Sequence, residues 1–207
     1  MLCKMSASCK LPVVFGDQIL DMYSFDCGRG EGEVIVLMHK SKDIQPNTTP
    51  YVRIHSACIT GEVFGSQKCD CGFQFDEAMR TICDSEYGIM IYMSFQEGRG
   101  IGLTNKVRAY QLQEEGADTL KANELLGFEH DARDFSPAAE VLKYLGVDKI
   151  NLLTNNPEKT MSFEKTGIHV ENVIPLCCPV NQYNRDYIMT KKNTLNHTFG
   201  ALAFSGL

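Results

Sequence analysis

Apolar and polar positions divide the chain into two styles of element. Up to about residue 65 the apolar runs are short and rich in β-branched residues, with Gly and Asp between them. Segments 11–15, 19–25, 33–39 and 51–55 read as strands, and Pro46-Asn47-Thr48-Thr49-Pro50 reads as a turn. Segment 73–82 reads as a helix, and the unbroken apolar run 87–93 as a buried strand. Leu103, Val107 and Tyr110 recur at helical spacing.

Ser136-Pro137 offers a helix start. Ala138, Val141, Leu142 and Leu145 form the stripe that follows, and Gly146 ends it. Segment 149–153 is a strand, a helix runs from Asn156-Pro157 to Gly167, and 168–174 is the next strand. Strand–helix–strand implies a parallel pair with a right-handed crossover. The expected fold class is therefore α/β. It is a mixed β-sheet with helices packed on its faces, mainly antiparallel strands in the N-terminal part and a strand–helix–strand unit in the C-terminal part.

The chain has 207 residues, 43% of them apolar, which fits one domain over 1–207. A net charge of -6 argues against nucleic acid or an anionic membrane as partner. No apolar run approaches the roughly 20 residues of a membrane span. The first ten residues carry no apolar signal core, so a cytoplasmic location is expected. Nine cysteines, an odd number, are expected to stay reduced there, held by a metal or by burial rather than in disulfides.

Cys58, Cys69 and Cys71 lie within 14 residues, the last two just before a helix. Three thiolates suit a zinc ion and leave a fourth position for water, whose pKa zinc lowers to roughly 7. A structural site closed by Cys83 or a histidine, and ordinary buried cysteines, are the alternatives.

Segment 96–108 is the densest polar stretch. Gly98, Gly100 and Gly102 allow close backbone approach, and Arg99, Lys106 and Arg108 add positive charge, which suits an anion. It matches neither the Walker loop nor the dinucleotide fingerprint. Thr154 and Lys159 stand at the end of a strand and the start of a helix, where α/β sheets place ligands. A plain capped helix is the alternative there. Asp131 and Arg133, two apart, face one side of an extended segment. They read as a general base and a phosphate fork, or as a surface ion pair. His55 is either a core or a site histidine.

Six segments in order resemble GTP cyclohydrolase II, a family of riboflavin synthesis. They are Arg53-Ile-His-Ser, Gly65 to Gln74 with its Cys-Asp-Cys, Gln96-Glu-Gly-Arg-Gly-Ile-Gly-Leu, Asn105-Lys-Val-Arg-Ala-Tyr110, Leu126 to Phe135, and Leu153-Thr-Asn-Asn-Pro-Glu-Lys159. The resemblance runs from about 51 to 176. It implies zinc on Cys58, Cys69 and Cys71, with magnesium accompanying the triphosphate. The implied reaction is hydrolysis of GTP at C8 of guanine, releasing formate and pyrophosphate and leaving a diaminopyrimidinone ribosylamine 5′-phosphate.

By the same resemblance Tyr110 orients the reacting centre and Asp131 accepts a proton. The family assigns the arginine matching Arg133 as a nucleophile. Its permanent charge suits stabilisation of the α-phosphate better. Arg53, His55, Ser56, Gln74, Glu97, Gly98, Arg99, Thr119, Thr154 and Lys159 would contact the nucleotide, and a homodimer is implied. Ala57 replaces an acidic residue usual in the family. Met93 and Phe95 replace a tyrosine and an arginine, and all three changes are expected near the pocket. A relative acting on another purine nucleotide or a pyrimidine nucleoside derivative, and a catalytically dead zinc-binding nucleotide sensor, are the competing readings.

Overall fold

The computed structural model describes residues 3–28, 32–129 and 131–198. Among these, seven strands form one sheet in the order β1-β2-β3-β5-β4-β6-β7. The first three, β1 (Lys4–Pro12), β2 (Ile19–Asp26) and β3 (Val34–Lys40), pair antiparallel, and β3 pairs antiparallel with β5 (Tyr87–Met93). From β5 onward, β4 (Tyr51–Ser56), β6 (Lys149–Leu153) and β7 (His169–Ile174) join in parallel. The mixed α/β sheet read from the sequence is the observed one.

Helix α1 (Ile59–Glu62) and helix α2 (Cys71–Asp84) connect β4 to β5. Helices α3 (Gly102–Glu114), α4 (Thr119–Leu125) and α5 (Ser136–Tyr144) connect β5 to β6, and α6 (Pro157–Met161) connects β6 to β7. Helix α7 (Arg185–Asn193) follows the last strand.

β5 is buried on both faces, as its continuous apolar run requires. Ile89, Ile91 and Met93 join one core with Ala138, Val141 and Leu142 of α5. Met90 points the other way, into a second core with Ala78, Met79 and Ile82 of α2. A Cβ on Gly88 would lie 2.7 Å from the Ile82 Cα, so only glycine lets α2 lie this close to the strand. Helix α5 starts where expected, but Asp134 does the capping: it accepts from the Ser136 backbone N–H at 2.8 Å and from its hydroxyl at 3.0 Å.

Several expectations are corrected. The first strand is Lys4–Pro12, not 11–15; its side chains are nearly all exposed, and Val14 beyond it is 89% exposed. Pairing with β2, not an apolar face, makes it a strand. The stripe on α3 faces outward, with Leu103 and Val107 exposed while Lys106 and Ala109 are buried. The cysteines are not all free: Cys3 and Cys27 form a disulfide. They are the next pair after Lys4↔Asp26 in the hairpin register, so strand pairing alone brings them together. Met93 is fully buried in the core and Phe95 packs against that core, so neither replacement lies at the pocket.

Candidate metal and nucleotide site

The carboxyl ends of three adjacent parallel strands converge on one cavity of about 550 Å³. β4 runs into Cys58, β5 into the glycine-rich turn 94–100, and β6 into Thr154 and α6. Of the sixteen site residues read from the sequence, all line this cavity except Asp131, which stands behind Arg133. Ala57 also lies on the wall.

Two glycines build the sulfur cluster. A Cβ on Gly72 would meet the Gly61 carbonyl oxygen at 2.4 Å. Their contact lets α1 and α2 touch and brings Cys58 beside Cys69 and Cys71. The three sulfurs lie within 4.8 Å of one another, and Cys58 and Cys69 are 3.7 Å apart. Three Zn–S bonds of about 2.3 Å in a tetrahedron set their sulfurs about 3.8 Å apart, so the donor set and its spacing fit zinc. Cys83 lies in the second core instead, and among the described residues no fourth ligand joins the trio.

The trio is electrostatically uneven. Hydrogen bonds from the Cys69 and Cys71 thiols, aided by Lys106, hold the Cys58 thiol far below its usual range. Hydrogen bonding to Cys58 in turn pushes Cys69 up to about 11 and raises Cys71. Lys106 does not reach toward an anion site as the sequence suggested. Its Nζ lies 3.0 Å from Cys58 Sγ and 2.8 Å from Glu97 Oε1. Burial alone would lower its pKa; Cys58 and Glu97 outweigh burial and raise it. Arg108 bonds to Asn105 at the surface, so of the three cations in that stretch only Arg99 and Lys106 line the cavity.

The glycine-rich turn is shaped by positive φ at Gly98, Arg99, Gly100 and Gly102. A side chain on Gly100 would press the Ala132 carbonyl at 3.2 Å, which keeps the turn against the Asp131–Arg133 segment. Within the turn the Glu97 carboxylate is fully engaged. It accepts from the Ile59 N–H at 2.7 Å, from the Gly98 N–H at 3.0 Å and from Lys106.

Arg133 forms a two-pronged pair with Asp131: Nε donates to Oδ1 at 2.7 Å, and Nη2 donates to Oδ2. Its third nitrogen donates to the Ser56 hydroxyl at 3.4 Å. Burial opposes the Asp131 charge, but the bonds from Arg133 outweigh it and lower the carboxyl pKa. His130, beside this pair in the sequence, lies outside the described residues.

Arg53 is buried and pinned on three sides. It donates to Leu153 O at 2.9 Å, to Gln74 Oε1 at 2.6 Å and to His55 Nδ1 at 3.4 Å. That last bond places the imidazole proton on Nε2, which donates to Glu62 Oε1 at 2.9 Å. Although His55 and Glu62 are spaced like an ion pair, burial lowers His55 to about 4, so the contact is a hydrogen bond from neutral imidazole.

Lys159, 4% exposed, donates to Ile54 O at 2.8 Å. Burial, then Arg53 and Arg133, hold its pKa well below the lysine range. The Thr154 hydroxyl accepts from the Asn156 N–H at 3.0 Å. Thr119 opens α4 under an Asp118 cap, and the Tyr110 hydroxyl bonds Thr60 beside Cys58. Sequence reasoning missed the wall built by Tyr183, Tyr187, Lys191 and His197, whose stretch carries no apolar period.

Residues 4–175 match the family model for GTP cyclohydrolase II. The riboflavin biosynthesis protein RibBA of Staphylococcus saprophyticus is 50% identical over 191 residues, which is 92% of this chain and 47% of that protein. GTP cyclohydrolase-2 of Hahella chejuensis is 47% identical over 92% of this chain and 90% of its own length. GTP cyclohydrolase-2 of Neisseria gonorrhoeae is 45% identical over 92% and 94%. The chain thus spans about half the length of the RibBA relatives and most of the GTP cyclohydrolase-2 relatives. A match over most of its length places this chain in the GTP cyclohydrolase II family.

Proposed function

We propose that this chain hydrolyses GTP with magnesium, opening the guanine imidazole ring and releasing formate and pyrophosphate. The product is a diaminopyrimidinone ribosylamine 5′-phosphate. The observation that carries this reading is one cavity walled by a three-sulfur metal cluster and by the cations Arg53, Arg99 and Arg133. Cys58, Cys69 and Cys71 would hold a zinc ion, and that ion would supply Lewis acidity and an activated water.

The protein's own residues do the rest. Arg133, always protonated, offers its planar fork to phosphate oxygens. As that fork turns to phosphate it releases the Asp131 carboxylate, which then takes up a proton. Tyr110, beside the sulfur cluster, orients the reacting ring. Gln74, fixed between Arg53 and Asp70, holds the Arg53 guanidinium in the cavity wall. Ser56, Gly98, Thr119 and Thr154 offer neutral hydrogen-bonding groups, while Glu97, Lys159 and His55 shape the wall through contacts they already make. The whole chain acts as one catalytic domain in a cytoplasmic homodimer.

Zinc-loaded protein given GTP and magnesium tests this reading through formate and pyrophosphate. Both products in equal amounts are expected. Pyrophosphate without formate would mean that the ring-opening half is wrong. Ala57 on the cavity wall favours one second reading, a divergent relative with another nucleotide substrate. That reading requires silence with GTP and turnover of a different purine or pyrimidine nucleotide.

A further inference from the structure

The family match stops at residue 175, yet the cavity wall continues beyond it through residues 183–197. The two buried residues of α7 are Ile188 and Lys191. Lys191 Nζ lies 2.6 Å from Asp70 Oδ1, with the Asp70 side chain 0% and the Lys191 side chain 9% exposed. Asp70 stands between Cys69 and Cys71 in the sequence. Its other oxygen accepts from Gln74 Nε2 at 2.6 Å, and Gln74 Oε1 accepts from Arg53 at 2.6 Å. One hydrogen-bonded chain therefore runs from α7 through the metal loop to the cavity arginine.

Two more contacts seat the segment. The Arg99 guanidinium lies 5.6 Å from the Tyr187 ring centre, and Lys191 Nζ lies 4.5 Å from the same ring. Past the helix, the Thr198 N–H donates to Asn155 O at 3.0 Å, in the turn between β6 and α6. The segment thus touches the metal loop, the glycine-rich turn and the β6 turn, all of which face the cavity. Its hold is chiefly polar, and such elements come from the low-stability end of a fold.

We infer that residues 183–198 form a clasp over the nucleotide cavity and that Lys191 is a positioning residue which seats it on Asp70. This rests on the nucleotide reading of the cavity. Lys191 lines this cavity together with Arg53, Arg99 and Arg133, and so brings the α7 cation to the same wall. That concentration of charge suits a polyphosphate, and the clasp completes its binding wall.

The test uses the full zinc-loaded chain, with Lys191→Met and Lys191→Arg. Hydrogen exchange of the α7 amides is followed without nucleotide, and KM and kcat are measured with GTP and magnesium. Lys191→Met is expected to speed α7 exchange at least about tenfold, to raise KM about tenfold and to change kcat less. Exchange over the β-sheet should not change, and Lys191→Arg should restore both readouts. Wild-type α7 exchange in Lys191→Met overturns the clasp, and an unchanged KM overturns the positioning role. If the wild-type protein leaves GTP intact, the nucleotide reading fails by itself, and the exchange comparison still decides whether Lys191 seats α7.

Discussion

Lys106 Nζ lies 3.0 Å from Cys58 Sγ and 2.8 Å from Glu97 Oε1, so a buried ammonium bridges a cavity carboxylate and a sulfur of the three-cysteine cluster. Groups that hydrogen-bond a metal ligand commonly set metal affinity by about 10–100-fold. Lys106→Met is expected to weaken zinc binding by that order, read by competition with a coloured chelator. Lys106→Arg should lose less. Unchanged zinc affinity in Lys106→Met would reduce the ammonium to packing.

Gly72 tests how the sulfurs are brought together. A methyl group at this position meets the Gly61 carbonyl at 2.4 Å, against backbone that has no side chain to swing away. Gly72→Ala should cost about 1–3 kcal/mol of stability, as overpacking does, and should lower zinc content as α1 separates from α2. Thermal melting and metal analysis check both. Full zinc content at wild-type stability would refute the close contact.

Arg133 and Asp131 act as a unit. Arg133→Lys keeps the charge but loses the fork, and should lower kcat/KM about 10²-fold. Asp131→Asn should also slow turnover, because it removes both the proposed proton acceptor and the carboxylate that pairs with Arg133. The double variant should lose less than the product of the two single losses. Steady-state kinetics with GTP decide this; wild-type rates in Arg133→Lys would remove the residue from the mechanism.

His55 makes a prediction about pH. Its folded pKa, about 4, lies below the ordinary histidine value of about 6.5. Between those values the unfolded chain takes a proton that the folded chain refuses. Its share of stability is therefore intact above pH 6.5 and is lost as pH falls toward 4, reaching about 3 kcal/mol. Urea unfolding of wild type and His55→Asn at pH 7 and pH 4.5 should show a steeper loss for wild type. Equal losses would mean that His55 is charged in the fold.

Much of this molecule was readable because its signals are local. The Cys-Asp-Cys pair, the apolar run 87–93 and the Ser-Pro helix start each announce themselves within a few residues, and the structure places them as expected. What escaped depends on distant partners. β1 is a strand because β2 pairs with it, although its own residues are mostly polar. The same pairing brings Cys3 to Cys27, which cysteine counting alone did not foresee. α7 buries a single apolar side chain, Ile188, too few to announce a helix face, and its Lys191 finds Asp70 across 121 positions of sequence. Lys106 looked like a phosphate contact because charge was visible and direction was not; only the fold turns it toward Cys58.

In the proposed reaction, carbon 8 of a guanine ring leaves this cavity as formate. GTP labelled with ¹³C at that carbon, incubated with zinc-loaded protein and followed by carbon NMR, tests it directly. The label is expected to move from the ring signal to the formate signal, and Cys69→Ser, stripped of its metal, should leave it in place. A label that stays in the nucleotide while the wild-type protein holds its full zinc would mean that this cavity does not open the ring.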